Sequence, residues 1–544
     1  MLFRSVTFRG VNGSENDACV RVDDAVVREL HDDLAAAEFT VARVEDLLGP
    51  TAFAALSRTQ LIPARGAVQN DLDSPLAALS ALFILGLEVT NAQLDAALPS
   101  VGAAGAQALG LVERRGNAMT DEVRALVDLR PYSAHDAMGQ VDWWLAADLG
   151  EEVLGDQLPA NHVLGVGGAA KTLAGFAVRD PKVRALDLGT GSGIQTLHLS
   201  RHCKEIVATD ISRRALNFAR FNFALNLLDA GQVNVREGSM FEPVAGEGFD
   251  LIVSNPPFVI SPPNSGLPAY EYRDAAMRGD AVVEQLVTEI GTHLNPGGVA
   301  QFLGNWEHRA GTDWRDRLGD WLEEAAARGN SLDAWIVERE VQDPAQYAET
   351  WLIDGGADPR RDEAGYEKAY RAWLDDFASR DVEQIGFGYV LLRRAEDSSR
   401  PQLRRIEHVD TPVAGPLGGH VSRVLTSIDE LVNLTEAEIL QLHFECPADV
   451  TEERYGRPGE ADPAMIFLRQ GGGYGRSAQV STWQSAFVGA CDGELSAGQI
   501  CGALAHLSGL EVAQIIAEVL PFIRQALWGG FLHPVGAAHK GGGK

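Results

Sequence analysis

Ala185-Leu-Asp-Leu-Gly-Thr-Gly-Ser-Gly193 reads as an apolar strand that ends on an acid, then a turn of alternating glycines, then a helix. Glycines at 189, 191 and 193 let a ligand approach the backbone at the carboxyl end of a strand, where open α/β sheets bind nucleotides. The G-x-G-x-G pattern alone is shared with dinucleotide enzymes and with structural turns. Their fingerprint has an acid about 20 residues beyond the loop and none inside the strand. Here both acids are present, Asp187 in the strand and Asp210 at the end of EIVATD (205–210). A carboxylate at 210 can accept both hydroxyls of a ribose. Taken alone, Asp210 would instead cap the helix of ISRRALNFA.

Outward from this loop, strand-like and helical runs alternate between residues 151 and 395, the pattern of a parallel sheet with crossover helices. The candidate strands are ALDLG (185–189), EIVATD (205–210), VNVREG (233–238), DLIVSN (250–255), GVAQFLG (298–304), AWIVERE (334–340) and GFGYVLL (386–392). The stretch from Asp343 to Asp381 is charged and helical.

Asn255-Pro-Pro-Phe258 directly follows FDLIVS. Two prolines stiffen the backbone and leave the Pro256 carbonyl without a competing local N–H. The Asn255 side-chain oxygen and that carbonyl can then both accept hydrogen bonds from a planar NH₂ group, while Phe258 stacks on its plane. The plain alternative is a proline-terminated strand with a packing phenylalanine.

With loop, second acid and Asn-Pro-Pro-Phe in order, the chain resembles class I S-adenosylmethionine (SAM)-dependent methyltransferases, in particular the amino and amide N-methyltransferases. The resemblance implies a seven-stranded Rossmann-like sheet and SAM as cofactor, bound over the first two strand ends. Asp187, Gly189, Thr190, Gly191 and Gly193 would then face the methionine moiety, and Asp210 with Ile211 the nucleoside. In that family an Asp after the third strand reaches the adenine amine; this chain has Glu237-Gly-Ser-Met-Phe241, so Ser239 or the Met240 backbone takes that place. Asn255 would serve both cofactor and substrate, with Pro256 and Phe258 as the other catalytic positions. The run Asn255-Pro-Pro-Phe-Val-Ile-Ser-Pro-Pro263 looks most like the HemK-type protein-glutamine methyltransferases, and Tyr-Arg-Asp-Ala-Ala-Met-Arg-Gly-Asp280 loosely resembles a later segment of theirs. The likeness covers roughly residues 160–305 and 384–395, and neither flank.

Residues 1–150 are Ala/Leu-rich with apolar residues at helical spacing, as in Leu76, Leu79, Leu82 and Leu85, and end in a hairpin signal around Arg115-Gly116-Asn117. Helices followed by a hairpin suggest a winged-helix-like domain. Such modules bind DNA, dimerise or dock substrates; the acidic Asn91-Ala-Gln-Leu-Asp95 disfavours DNA. Residues 396–544 open on a polar linker, EDSSRPQLRR, carry a glycine-rich stretch at 469–483, and close on two helices of a second winged-helix-like element.

The 544 residues carry 46 Lys and Arg against 76 Asp and Glu, a formal net charge of −30. Such a surface repels phosphate backbones, so wholesale electrostatic binding of nucleic acid is disfavoured. Locally, Arg179–Asn222 reverses the balance, with eight basic against four acidic residues. Arg213, Arg214 and Arg220 in that segment would either guide an anionic substrate or form a solvated helix face. Gly165–Ala169 reads as a lid over the cofactor or a plain loop, and Tyr270 and Tyr272 as cleft or packing residues. Five cysteines without a C-x-x-C and thirteen histidines without ligand spacing indicate no metal site and a reducing, cytoplasmic setting. No run of 18 apolar residues suggests a membrane span.

Three functions follow. The first is SAM-dependent methyl transfer to a planar NH₂ nitrogen of a macromolecular substrate, a protein glutamine amide before RNA or DNA. The second is methylation of an exocyclic amine of adenine or guanine in nucleic acid. The third is a non-catalytic SAM-binding interaction protein. The oligomeric state is not legible.

Overall fold

The computed structural model describes residues 20–69, 71–136, 138–155, 158–263, 273–274, 277–396, 402–459 and 463–535. Its N-terminal part begins with helices Asp24–Ala36, Val41–Leu56 and Ile62–Val68. Helical residues 75–84 then lead to strand β1 (Val89–Thr90), helices Asn91–Ala97 and Gly102–Ala108, and strands β2 (Val112–Arg114) and β3 (Glu122–Ala125). These strands form an antiparallel sheet of order β1-β3-β2, with the turn signal at 115–117 between β2 and β3. A long antiparallel hairpin not expected from the sequence follows, β4 (Asp128–Asp136) and β5 (Gly139–Ala147).

The central sheet is built from β6 (Lys182–Leu188), β7 (Cys203–Asp210), β8 (Val233–Glu237), β9 (Phe249–Ser254), β10 (Leu294–Arg309), β11 (Asp333–Gln342), β12 (Val382–Arg393) and β13 (Arg404–His408). Their order is β13-β11-β12-β10-β9-β6-β7-β8, and β12 runs antiparallel to both neighbours. The expectation of seven strands is therefore corrected to eight. β13 begins inside the stretch read as a polar linker and pairs parallel to β11, Ile336 opposite Ile406. Its pairing shields an otherwise open edge, a gain that its polar composition does not signal.

Both faces of the sheet are covered, which explains the continuous apolar runs. Leu186, Ile252, Phe302 and Ile336 face helices Ala281–Glu289 and Trp314–Ala327. Ala185, Leu251, Val253 and Trp335 share the opposite core with helices Gly168–Phe176 and Gly418–Leu431. The second of these helices lies beyond residue 395, so the sheet's core draws on sequence well past its last expected strand. Asp343–Asp381 is helical as expected, with helices Pro344–Asp354 and Glu363–Ala378.

Helix Arg213–Leu225 faces two ways. Ala219 and Phe223 pack toward the sheet's rim, whereas Phe218, Phe221 and Leu225 join the N-terminal core with Leu30, Leu34 and Phe83. Asn222 on it and Asn226 at its C-cap continue the hairpin's hydrogen bonding. Asn222 receives a bond from Ala146 N (2.7 Å) and donates to Ala146 O (2.9 Å); Asn226 does the same with Trp144 N (3.0 Å) and O (2.7 Å). Four residues along a helix rise about 6 Å and two along a strand about 6.6 Å, so the i, i+4 amides match alternate residues of β5.

The C-terminal part contains β14 (His443–Glu445), the meander β15 (Val450–Tyr455), β16 (Met465–Gln470) and β17 (Ser477–Val480), then β18 (Asp492–Ser496) and β19 (His533–Pro534). Helices Ala497–Ser508 and Val512–Gly529 share, through Ile500 and Ile523, a core of their own with Phe444 and Phe487. Among the described residues no helix is long and apolar enough to cross a membrane, and no cluster of His, Cys, Asp or Glu could hold a metal ion.

Candidate functional site

Asp187 is fully buried at the carboxyl end of β6. Its Oδ2 accepts from Thr190 Oγ1 (2.7 Å), Thr196 Oγ1 (2.7 Å) and Thr196 N (2.9 Å), while Oδ1 is buried without a hydrogen-bond partner. Burial pushes this carboxyl up to about 6; the two threonines oppose the shift and the nearby Asp210 adds to it.

The glycine loop bends over this acid. Gly189, Gly191 and Gly193 have φ of +75°, +56° and +92°, the left-handed region that a side chain disfavours. Above Gly189 and Gly191 an added Cβ would meet nothing within 4 Å, so the loop's surface is open. At Gly193 it would lie 2.5 Å from the Phe223 ring, because helix Arg213–Leu225 packs directly on the loop.

Asp210 ends β7, where Oδ2 accepts from Gly191 N (2.9 Å) and Oδ1 from Ser212 N (2.8 Å). The second acid thus holds the loop and also fixes the backbone of Ser212, the N-cap of helix Arg213–Leu225. Ile211 beside it is 52% exposed, a large apolar side chain left open at the rim. Asp210 stands opposite Glu237 in the β7–β8 register, and Gly238 N donates to Asp210 O (3.0 Å). This places Ser239 and Met240 next to Asp210; Met240 adopts φ +47° and packs partly on the sheet's core.

β9 delivers the third element to the same level. Leu188 is in register with Ser254, and Ser254 Oγ donates to Leu188 O (2.7 Å). Gly189 and Asn255 therefore leave neighbouring strands side by side. Asn255 Oδ1 is buried and has no hydrogen-bond partner. Pro256 is buried, and Phe258 is half-buried where three apolar clusters meet. Beyond it, Ile260 N donates to the hydroxyl of the buried Tyr347 (2.9 Å), which also accepts from Asn305 Nδ2 (2.9 Å).

The residues of the three motifs are thus brought together; in the basic segment Arg214 is drawn inward, whereas Arg213 and Arg220 are exposed, as on a solvated helix face. Arg214 is paired with Asp148 (2.5 Å), Arg213 with Glu237 (3.1 Å), and Arg201 with Asp136 (2.7 Å); Arg220 is exposed. Gly167 and Gly168 begin helix Gly168–Phe176, which Gln195 Nε2 ties to the loop's helix through Ala170 O (2.7 Å). Tyr270 and Tyr272 lie outside the described residues. The sequence reading missed Thr196, Ser254, Asn305 and Tyr347. Thr196 was within reach, nine residues beyond Asp187; Tyr347 comes from a helix 92 residues after Asn255 and no local pattern announces it.

Residues 168–321 match the methyltransferase small domain family, and residues 36–126 match a domain family of unknown function. A release factor glutamine methyltransferase of Xylella fastidiosa is 36% identical over 135 residues, covering 23% of this chain and 48% of that protein. A ribosomal RNA small subunit methyltransferase C of Alcanivorax borkumensis is 29% identical over 124 residues, 23% of this chain and 33% of that protein. A ribosomal protein uL3 glutamine methyltransferase of Bradyrhizobium diazoefficiens is 34% identical over 124 residues, 21% of this chain and 38% of that protein. The chain thus spans half or less of the length of these curated relatives.

Proposed function

We propose that this chain is a SAM-dependent N-methyltransferase acting on a planar NH₂ group of a macromolecule, specifically a protein glutamine amide. The observation that carries the reading is the buried Asn255 Oδ1 without a donor, set level with an open glycine loop. A buried acceptor left unsatisfied costs about 1–3 kcal/mol, and an incoming NH₂ would relieve that cost.

The residues fit the cofactor. Asp187 Oδ1 is a second buried acceptor without a donor, suited to the ammonium side of an amino acid moiety. The surface above Gly189 and Gly191 is free for close approach, Asp210 is positioned for ribose hydroxyls, and exposed Ile211 offers an apolar face to a base. Ser239 and Met240 adjoin Asp210 and would meet the base edge.

SAM, when bound, supplies an electrophilic methyl group. The chain's part is positional. Asn255 Oδ1 and the Pro256 carbonyl accept the two N–H groups of the amide, which turns the nitrogen lone pair toward the loop. The half-buried Phe258 braces the turn and offers its exposed face to the planar group. The proton leaves after transfer, so no strong base is needed at this site.

The N-terminal flank supports a winged-helix-like docking module through its order of helix, strand, helix, helix, strand, strand over residues 75–125 and its β1-β3-β2 sheet. The second reading, an exocyclic amine of adenine or guanine, is favoured by the ribosomal RNA methyltransferase relative. The paired arginines of residues 201–214 argue against it.

The test is radiolabelled methyl transfer into a bacterial extract divided into nuclease-treated and protease-treated halves. Label lost only with protease is expected; label lost only with nuclease would replace the glutamine reading by the nucleic-acid one. In Asn255→Ala, turnover is expected to fall roughly 100-fold or more while SAM affinity changes less than about threefold. An equal loss of both would remove the amide-holding role.

A further inference from the structure

The glycine-rich stretch at 469–483 plays no part in the site above. It borders a cavity of about 450 Å³ with three main walls, completed by His135 and Asp136 of β4 and by Pro447 and Asp449. Gly175–Arg179, just before β6, forms one wall; the start of helix Gly418–Leu431 forms another; Gln470–Gly473 and Gly530–His533 form the third. The cavity therefore lies toward the amino end of β6, whereas the glycine loop lies at its carboxyl end.

Three features of the wall favour a negative group. Helix Gly418–Leu431, 14 residues long, begins on Leu417 with no side-chain cap and no acid in its first turn, so its positive end is unanswered. Its third residue, His420, is 93% buried and lines the cavity, with Nε2 lacking any hydrogen-bond partner. Arg179, its side chain nine-tenths buried, also lines the cavity and holds Nη1 without a partner.

The His420 ring is held deliberately close. A Cβ at Gly473 would lie 2.7 Å from its Nδ1, and one at Gly530 would lie 2.4 Å from its Cε1. Only glycine at both positions leaves room for the imidazole. Arg423, one turn further along the helix, is exposed and lines the same space. The local field is positive: after burial itself, Arg423, Arg476 and Arg405 all disfavour protonation of His420.

Two acids also line the wall: Asp136, whose buried Oδ2 has no hydrogen-bond partner and meets only the Arg179 ion pair, and the exposed Asp449. Asp136 is shared by Arg179 (3.4 Å) and Arg201 (2.7 Å), leaving that corner net positive. Asp449 Oδ2 accepts from Gly472 N (2.7 Å) and fixes the glycine turn.

We propose that this cavity binds a small molecule carrying a phosphate group, held by His420, Arg179, Arg423 and the opening turn of helix Gly418–Leu431. A volume of this size accommodates more than a bare ion, within the usual range of small-molecule pockets. An occupant would touch the sheet domain and the C-terminal part together.

Calorimetric titration of the full chain tests this, using inorganic phosphate and ribose 5-phosphate as probes against chloride at equal ionic strength. Saturable binding of ribose 5-phosphate is expected, with weaker binding of inorganic phosphate and no competition with SAM. Arg423→Glu, an exposed position that leaves folding intact, is expected to weaken it at least tenfold, and His420→Gln by a similar factor. Absence of saturable binding by both probes, binding unchanged in both variants, or displacement by SAM would each overturn the proposal. None of these outcomes depends on whether methyl transfer occurs.

Discussion

Asp187 is a carboxyl that the fold holds at a cost. Its proton affinity is raised from 3.8 to about 6 by burial, so between those values the folded chain binds more protons than the unfolded one. The stability this group contributes is present below pH 4 and is lost as pH rises through 6, by about 3 kcal/mol for two units. Asp187→Asn keeps an oxygen for Thr190 and Thr196 but carries no charge. The variant is expected to melt higher than the wild type at pH 8, with the difference closing below pH 4, and to bind SAM more weakly. Equal melting temperatures at both pH values would mean that the buried carboxylate is not strained. The residue was visible in the sequence as an acid inside a strand end. Two of its three hydrogen bonds were missed, because they come from Thr196 in the next helix. The same holds for Asn255: the motif announced an acceptor, whereas only the fold shows that its oxygen is buried and without a donor.

At the scale of elements, helix Arg213–Leu225 joins the N-terminal part to the sheet, and the asparagine pair is its seam. Asn222→Ala would leave Ala146 N and O and Ser192 O without their side-chain partner. A loss of roughly 2–4 kcal/mol is expected in denaturant unfolding, against less than 1 kcal/mol for the exposed Arg220→Ala on the same helix. Gly193→Ala is expected to destabilise by about 1–3 kcal/mol through its positive φ and the Phe223 ring, and to weaken SAM binding with it. The helix itself was legible from ISRRALNFA. The β4–β5 hairpin that it supports was not, because its apolar residues divide between two cores, Leu129, Trp144 and Ala146 in the N-terminal one and Tyr132 and Leu145 in the one at the sheet's rim, and Pro131 sits in the middle of β4.

For the whole molecule, the parallel sheet could be read strand by strand because both its faces are buried and its runs are continuously apolar. β13 escaped that reading, since an edge strand rich in arginine has no apolar signature. Its consequence is measurable. A chain ending at residue 395 would leave the β11 edge unpaired and Trp335, buried here, uncovered on the side of helix Gly418–Leu431. That fragment is expected to aggregate on size-exclusion chromatography, and one ending at 434 to elute as a discrete species. A well-behaved 395-residue fragment would show that the eighth strand is dispensable.

The same strand order also sets a clock. Asn255 leaves the ribosome about 150 residues before His408, the last residue of the sheet. At synthesis rates of about 5–20 residues per second, that is an interval of roughly 8–30 s. Within it β10 and β11, once made, wait for β12, which is made after both yet lies between them. The glycine loop is thus translated early and given its finished setting late, and capture of any ligand there belongs to the end of synthesis rather than its middle.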